Sequence, residues 1–224
     1  MAPLEPRVRR QVKQQRHSAP ALDVHTYQFV SLIASPVPRL QRERHPLLSI
    51  SDYHDLVARC QQLEKRVFPK AEAMDLREEL RKPNQYLFAV LQGNEPALVI
   101  AYGVLALSKV DYIARITKVC TDPQHRGLGA GEHLVCSMLA ALGDPLALLS
   151  AQHISEPKGF TSICGIGSLR MNAKGVQLHV DTQRDVAIRM YTRCGFSTKT
   201  TIPDYYGEGR DAFLMNRGIA STAT

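Results

Sequence analysis

The apolar positions of this chain follow two periods, and the switches between them outline a domain. Leu56, Val57, Cys60 and Leu63 recur at helical spacing, and Ser51 or Asp52 stands where a helix N-cap belongs. Pro69 stops that run just after Phe68, and a second, shorter helix is expected from Met74 to Leu80. The period then drops to two. Tyr86 to Leu91 and Ala97 to Leu107 read as strands joined by a turn at Gly93-Asn94, and Tyr112 to Thr121 reads as a third strand. After Asp122-Pro123 and a glycine-rich stretch, Leu134, Val135, Met138, Leu139 and Leu142 put a helical stripe on residues 132–142. Gln177 to Asp181 is a strand, and Asp185 to Cys194 is a helix with Gly195 in the C′ position. Phe196 to Ile202 and Ala212 to Asn216 are two last strands around a long hairpin. This order predicts an α/β domain in which a mixed sheet carries helices on both faces.

Residues 47–217 hold that pattern. Within them, residues 143–175 are rich in Gly, Ser and Pro without a firm period, and read as an inserted loop. Residues 218–224 form a short tail. Residues 1–46 form a largely irregular extension, broken by prolines at positions 3, 6, 20, 36 and 38. One apolar piece, Tyr27 to Ile33, alternates like a strand or a segment that docks on the domain. Charge follows the same division. Eight Arg and Lys against three Asp and Glu lie in residues 1–45, so most of the net +7 belongs to a basic arm on a nearly neutral domain. A solvated tail and attachment to an anionic surface such as a ribosome both fit such an arm.

Several classes fall away. No run of about 18 apolar residues exists, so no membrane partner is expected. The basic start lacks an apolar segment, which argues against a secretory signal, and Glu5, Pro3 and Pro6 weaken a transit-peptide reading. Five scattered cysteines without a C-x-x-C pair indicate neither a disulfide framework nor a zinc site, but reduced thiols of a cytoplasmic protein. The histidines are dispersed, so no metal is expected.

Arg126-Gly127-Leu128-Gly129-Ala130-Gly131 carries the candidate chemistry. Glycines permit positive φ and close approach of the backbone, and a following helix N-terminus offers unpaired N–H groups to phosphate. Arg126 adds a forked cation. The spacing is not the G-x-G-x-x-G of a dinucleotide fold, and the Gly-Lys-Ser/Thr of a P-loop is absent.

The run Asp122-Pro123-Gln124-His125-Arg126-Gly127-Leu128-Gly129-Ala130-Gly131 resembles the coenzyme A loop of the GNAT N-acyltransferases. Leu178-His179-Val180-Asp181, Ala187, Tyr191 and Gly195-Phe196 resemble that family's second motif, in the right order and spacing. The resemblance implies the GNAT fold, with a mostly antiparallel sheet splayed at the cofactor site and acetyl-CoA as acyl donor. It implies that the amides of residues 126–131 hold the pyrophosphate, and that the backbone of Lys118, Val119 and Cys120 meets the pantetheine and thioester. Tyr205-Tyr206 resembles the hairpin with which N-terminal acetyltransferases grip a peptide backbone. Phe68-Pro69 resembles the methionine pocket of the NatE-type (San-type) catalytic subunit, with Lys70 next to it. By the same likeness His179 is a base acting through water, and Tyr191 protonates the departing coenzyme A. The strand tyrosine that should partner His179 counts to Ala114 here, which leaves Tyr112, on the same face, as the candidate through a register shift. Arg184 replaces a usual asparagine, and Glu72 stands where a tyrosine is common.

The expected activity is therefore transfer of acetyl to protein N-termini, nascent or free, at Met followed by an apolar residue. Other acetyltransferase subunits are possible partners. Two alternatives stay open: acetylation of lysine side chains or small amines, and a catalytically silent domain that tethers partners.

Overall fold

In the computed structural model, residues 27–32, 50–92, 98–143 and 173–219 are described. The Gly93-Asn94 turn, most of the inserted loop, most of the basic arm and the last five residues lie outside them.

Helix α1 (Ile50–Val67) uses Leu56, Cys60 and Leu63 as its buried stripe. It is already helical at Ile50, so Ser51 and Asp52 stand inside it rather than at its cap, a shift within the usual fraying of helix ends. It stops at Phe68, whose N–H still reaches the Glu64 carbonyl at 2.9 Å, because Pro69 cannot continue the ladder. Helix α2 (Leu76–Glu79) starts at Asp75, whose carboxylate accepts from the Arg77 and Glu78 amides at 3.0 and 3.1 Å.

The seven strands are β1 (Tyr27–Leu32), β2 (Gln85–Gln92), β3 (Leu98–Leu107), β4 (Ile113–Thr121), β5 (Gly175–Asp181), β6 (Ser197–Ile202) and β7 (Ala212–Gly218). They form one sheet in the order β1-β2-β3-β4-β5-β7-β6. The apolar piece of the extension is thus an edge strand, antiparallel to β2. Every neighbouring pair is antiparallel except β4 and β5, which the chain joins through α3 (Ala130–Ala141). The last helix, α4 (Asp185–Arg193), ends as the sequence predicts. Gly195 takes φ +82°, and the Phe196 and Gly195 amides close onto the carbonyls of Tyr191 and Thr192 at 3.0 and 2.9 Å.

Period-two alternation separates two cores. Tyr86, Phe88 and Val90 face α3 and α4, where they meet Leu134, Met138 and Leu178. Leu87 and Ala89 face α1 and α2, with Tyr102 and Val104. The second core holds a polar cluster. The fully buried Glu64 carboxylate accepts from the Tyr102 hydroxyl, from the Met74 amide at 2.7 Å and from Lys118 Nζ at 2.8 Å. Lys118 also donates to the Glu72 carbonyl at 3.0 Å. Burial, with that carboxylate beside it, pushes the Tyr102 phenol far up, so it stays a donor. Gln61 adds two bonds to the same connection, to the Met74 carbonyl at 2.9 Å and from the Leu76 amide at 2.7 Å. The α1–α2 connection is therefore mounted on the sheet by side chains rather than by its own backbone.

Glu64→Ala should lower the unfolding free energy by about 3–5 kcal/mol, because it strands a nearly buried ammonium. Replacing Glu64 and Lys118 together by methionine should recover only part of that loss, because the Tyr102 hydroxyl and the Met74 amide stay without their acceptor. Urea unfolding measures both; a single-variant loss below about 1 kcal/mol would mean that Lys118 finds water instead.

Candidate active site

The sheet opens at one place. β4 and β5 pair only from Ile113↔Gly175 to Ile116↔Leu178. Beyond that, β4 pairs with β3 alone and β5 with β7 alone. Thr117 is an extra residue in the β3–β4 register, which jumps from Leu105↔Ile116 to Val104↔Lys118. A bulge of this kind bends and twists its strand. Here it falls at the point where the two parallel strands part. Lys118, Val119 and Cys120 line the β4 side of the opening, and His179 is the first residue of β5 beyond the last pair.

β4 leads directly into the glycine loop. Asp122 is buried, its amide donates to the Ile100 carbonyl at 2.8 Å, and Arg66 pairs with its carboxylate. The other carboxylate oxygen accepts from the Gln124 amide at 3.0 Å and caps a 3-10 turn over Pro123–His125. Gly127 and Gly129 adopt φ +76° and +85°, and a Cβ at either would meet nothing within 4 Å. Backbone sign, not crowding, demands glycine there. Gly131 differs: its added Cβ would lie 3.0 Å from Thr121 Oγ1 and 3.1 Å from Met190 Sδ, so α3 packs close against β4 and α4. Gly129 caps α3 without a side-chain bond, which leaves the first-turn amides open. Arg126 is exposed, with Nε 3.3 Å from the Thr121 carbonyl; Leu128 is half-buried and Ala130 buried.

Across the opening, Leu178 and Val180 point into the α3–α4 core, so His179 faces the other side. Its ring stacks on Tyr205 at 4.5 Å between centroids and 13° between planes, and Tyr205 meets Tyr206 edge-on at 4.8 Å. Partial burial, and then the charge of Arg115, lower the pKa of His179 below its ordinary value. It is therefore neutral at pH 7, with a lone pair available. Tyr191 is buried edge-on to Phe196 at 6.0 Å; its phenol is pushed up by burial and then by the nearby Tyr206 phenol, itself raised to about 12. Both remain protonated donors.

Phe68 is half-buried, with Lys118 Nζ 3.6 Å from its ring centroid and the Arg184 guanidinium 5.8 Å away. Pro69 and Lys70 are exposed beside it. The Lys118 side chain thus turns toward Phe68 and Glu64, and only its backbone belongs to the opening.

Tyr112 is not brought to this place. It precedes the paired end of β4 at φ +57°, half exposed, with Lys174 Nζ 5.4 Å from its ring. The bulge falls at Thr117, five residues further on, so Tyr112 lies on the order of 15 Å along the strand from His179. The side chain that shares the His179 face is Arg115, which pairs with Gln177 and so lies diagonal to His179. Alternation with the buried Ala114 and Ile116 marks Arg115 as facing that way, a signal present in the sequence. Among the described residues no group of three His, Cys, Asp or Glu side chains is arranged to hold a metal, and no helix is long and apolar enough to cross a membrane.

No protein-family model and no curated protein matches the chain. Solved structures do. The ribosomal-protein-S18-alanine N-acetyltransferase of Escherichia coli is 14% identical over 88% of this chain and 96% of its own, with a TM-score of 0.54. A chain of the NatC complex bound to Gag peptide and CoA gives 14%, 86%, 99% and 0.54. The spermidine/spermine N-acetyltransferase of Vibrio cholerae gives 14%, 87%, 94% and 0.52. At such identities the likeness is one of fold, and the fold is that of the GNAT acetyltransferases.

Arg115→Gln should raise the His179 pKa without restoring its ordinary value, because burial is the larger cause. The His179 ring-proton titration followed by NMR reads this directly. A downward or absent shift would show that Arg115 does not act on the imidazole.

Proposed function

We propose that this chain is an N-α-acetyltransferase, moving an acetyl group from acetyl-CoA to the amine at a protein N-terminus and releasing coenzyme A. The observation that carries this reading is the β4–β5 opening, with an open glycine loop on one flank and a neutral histidine beneath a tyrosine pair on the other. The loop suits a pyrophosphate: its two positive-φ glycines leave space where side chains would stand, and no side chain caps α3. Gly127, Leu128, Gly129, Ala130 and Gly131 would hold those oxygens through backbone N–H groups, with Arg126 supplying charge. The backbone of Lys118, Val119 and Cys120 would meet the pantetheine arm. When bound, acetyl-CoA supplies the activated thioester.

The chain's own residues do the rest. An α-amine has a pKa near 8, so a modest base suffices. His179 accepts the amine proton, directly or through water, and Tyr205 and Tyr206 hold the peptide backbone above it. A backbone N–H at Val119 or Cys120 stabilises negative charge on the acetyl oxygen. Tyr191, kept protonated by burial, holds the proton that a departing thiolate takes up.

For the first residue, Phe68 and Pro69 support methionine followed by an apolar residue. The two cations over the Phe68 ring, Lys118 and Arg184, are already paired with Glu64 and Glu72 and do not call for an acidic first residue.

Purified protein with acetyl-CoA and peptides beginning Met-Leu or Glu-Leu tests this preference: Met-Leu should be the better substrate, and a preference for Glu-Leu would overturn it. A third peptide, blocked at its N-terminus and containing lysine, tests the amine class; acetylation of it alone would sink the α-amine reading. His179→Ala should lower kcat by about 10²-fold or more. The sign of the pH profile follows from the lowered pKa. A base must be unprotonated, so kcat at saturating peptide is retained down to a pH below the ordinary histidine range and falls as pH drops through the His179 pKa. Arg115→Gln should move that acid limb upward; an unmoved limb would assign it to another group.

A further inference from the structure

Three segments far apart in the chain meet on one guanidinium beside the opening. Glu72 belongs to the α1–α2 connection, Asp181 ends β5, and Arg210 lies in the β6–β7 hairpin, 138 residues from Glu72. Arg210 Nη1 donates to Glu72 Oε1 at 2.6 Å, while Nη2 and Nε donate to Asp181 Oδ2 at 2.7 and 3.1 Å. Arg184 reaches the second Glu72 oxygen at 3.3 Å. Asp181 is buried, and its other oxygen accepts from the Gln183 amide at 2.9 Å. This is more than an exposed ion pair. One carboxylate is desolvated, the fork is used on both sides, and four side chains share the network.

The same residue lies within the hairpin tip. The Tyr206 amide donates to the Arg210 carbonyl at 3.0 Å, the Arg210 amide to the Gly207 carbonyl at 2.9 Å, and the guanidinium lies 5.6 Å from the Tyr206 ring centroid. Tyr206 meets Tyr205 edge-on, and Tyr205 stacks on His179. A continuous chain of contacts therefore runs from Glu72 through Arg210 and the two tyrosines to His179. The hairpin tip lies beyond the last β6–β7 pair, Ile202↔Ala212; bonds from the Asp204 amide to Asp211 Oδ1 at 3.0 Å and from the Gly209 amide to Asp204 Oδ1 at 2.6 Å shape it internally, and the Arg210 fork ties it to the α1–α2 connection.

We propose that Arg210 is a positioning residue, whose bridge to Glu72 and Asp181 straps the tyrosine hairpin to the α1–α2 connection and sets both walls of the peptide site before substrate arrives. The proposal rests on the α-amine reading for its kinetic consequence, and on geometry alone for the arrangement of His179. Without the strap, an arriving peptide must order two loops at once, which weakens its binding more than the chemistry that follows. The coenzyme loop lies on the other flank, anchored by Asp122 and Arg66, and is independent of the strap.

The test compares Arg210→Gln, Arg210→Lys and Glu72→Gln with the unaltered protein, measuring peptide KM, kcat, coenzyme A affinity and the His179 ring-proton shifts in the unliganded protein. Arg210→Gln should raise peptide KM by about tenfold or more, with kcat and coenzyme A affinity within about threefold. The His179 ring protons should move downfield as the Tyr205 ring leaves its stacked position. Arg210→Lys, which keeps the charge but not the fork, should restore part of the KM, and Glu72→Gln should add little on top of Arg210→Gln. An unchanged KM with unmoved His179 resonances overturns the proposal. So does a parallel loss of coenzyme and peptide binding, which marks a merely structural role. If the unaltered protein acetylates no α-amine, the functional reading fails by itself, and the His179 shifts still decide the strap.

Discussion

Everything at the candidate site follows from the loss of one ladder. Parallel strands joined by a helix ordinarily stay paired over their shared length, because unpaired backbone groups in a sheet interior are costly. Here β4 and β5 hold together for four register pairs and then separate at the Thr117 bulge. The separation exposes main-chain polar groups of residues 117–121 on the side where β5 has withdrawn. A ligand with alternating donors and acceptors, such as an amide-linked pantetheine arm, can satisfy them as a strand would. The same parting carries the end of β4 toward the glycine loop and leaves His179 as the first side chain past the junction. One bulge thus accounts for the backbone surface, the approach to the loop and the place of His179.

The opening would be shapeless if its rim moved freely. On the α1–α2 side the rim is held from beneath by Glu64 and Gln61, which bind backbone groups of the connection as well as Lys118 and Tyr102. That arrangement makes Lys118 bifunctional. Its main chain belongs to the opening, while its ammonium neutralises a buried carboxylate and covers a face of Phe68. The Phe68 ring is therefore coupled to the packing of the core and is not an independent attachment.

How much of this is legible in the sequence depends on distance along the chain. Helices, strands, the Schellman ending at Gly195 and the glycine loop are local, and each is encoded within a dozen residues. The edge strand at Tyr27 to Leu32 announces itself by alternation even inside a basic, proline-broken extension. What alternation cannot encode is register. The bulge at Thr117 has no residue signature, and with it went the placement of Tyr112, which lies at the wrong end of β4. The Arg210 fork was equally hidden, because Glu72 and Asp181 are meaningful only once three distant segments meet. Arg115 is intermediate: its face was readable, but its effect on His179 depends on the short parallel register.

The chemistry of the cysteines bears on the route of transfer. A double-displacement mechanism needs a nucleophile to carry the acetyl group, and a thiolate is the first candidate. Cys60, Cys120, Cys136 and Cys194 are buried. Burial pushes the Cys60 and Cys120 thiols up, the latter to about 12, and the Glu64 carboxylate adds to the rise at Cys120. The Cys194 thiol is raised through its contact with Cys136 and by burial. Cys120 is the informative one, since it lies on the β4 flank of the opening and would be the natural acceptor. Its environment holds it as a thiol at neutral pH, whereas the imidazole across the gap is held neutral, with its lone pair free. On the proposed reading the β4 flank would contribute main-chain hydrogen bonds, and the β5 flank, through His179, the proton acceptor. Among the described residues no thiol is poised to carry the acetyl group, so on that reading the amine would attack the thioester directly within a ternary complex.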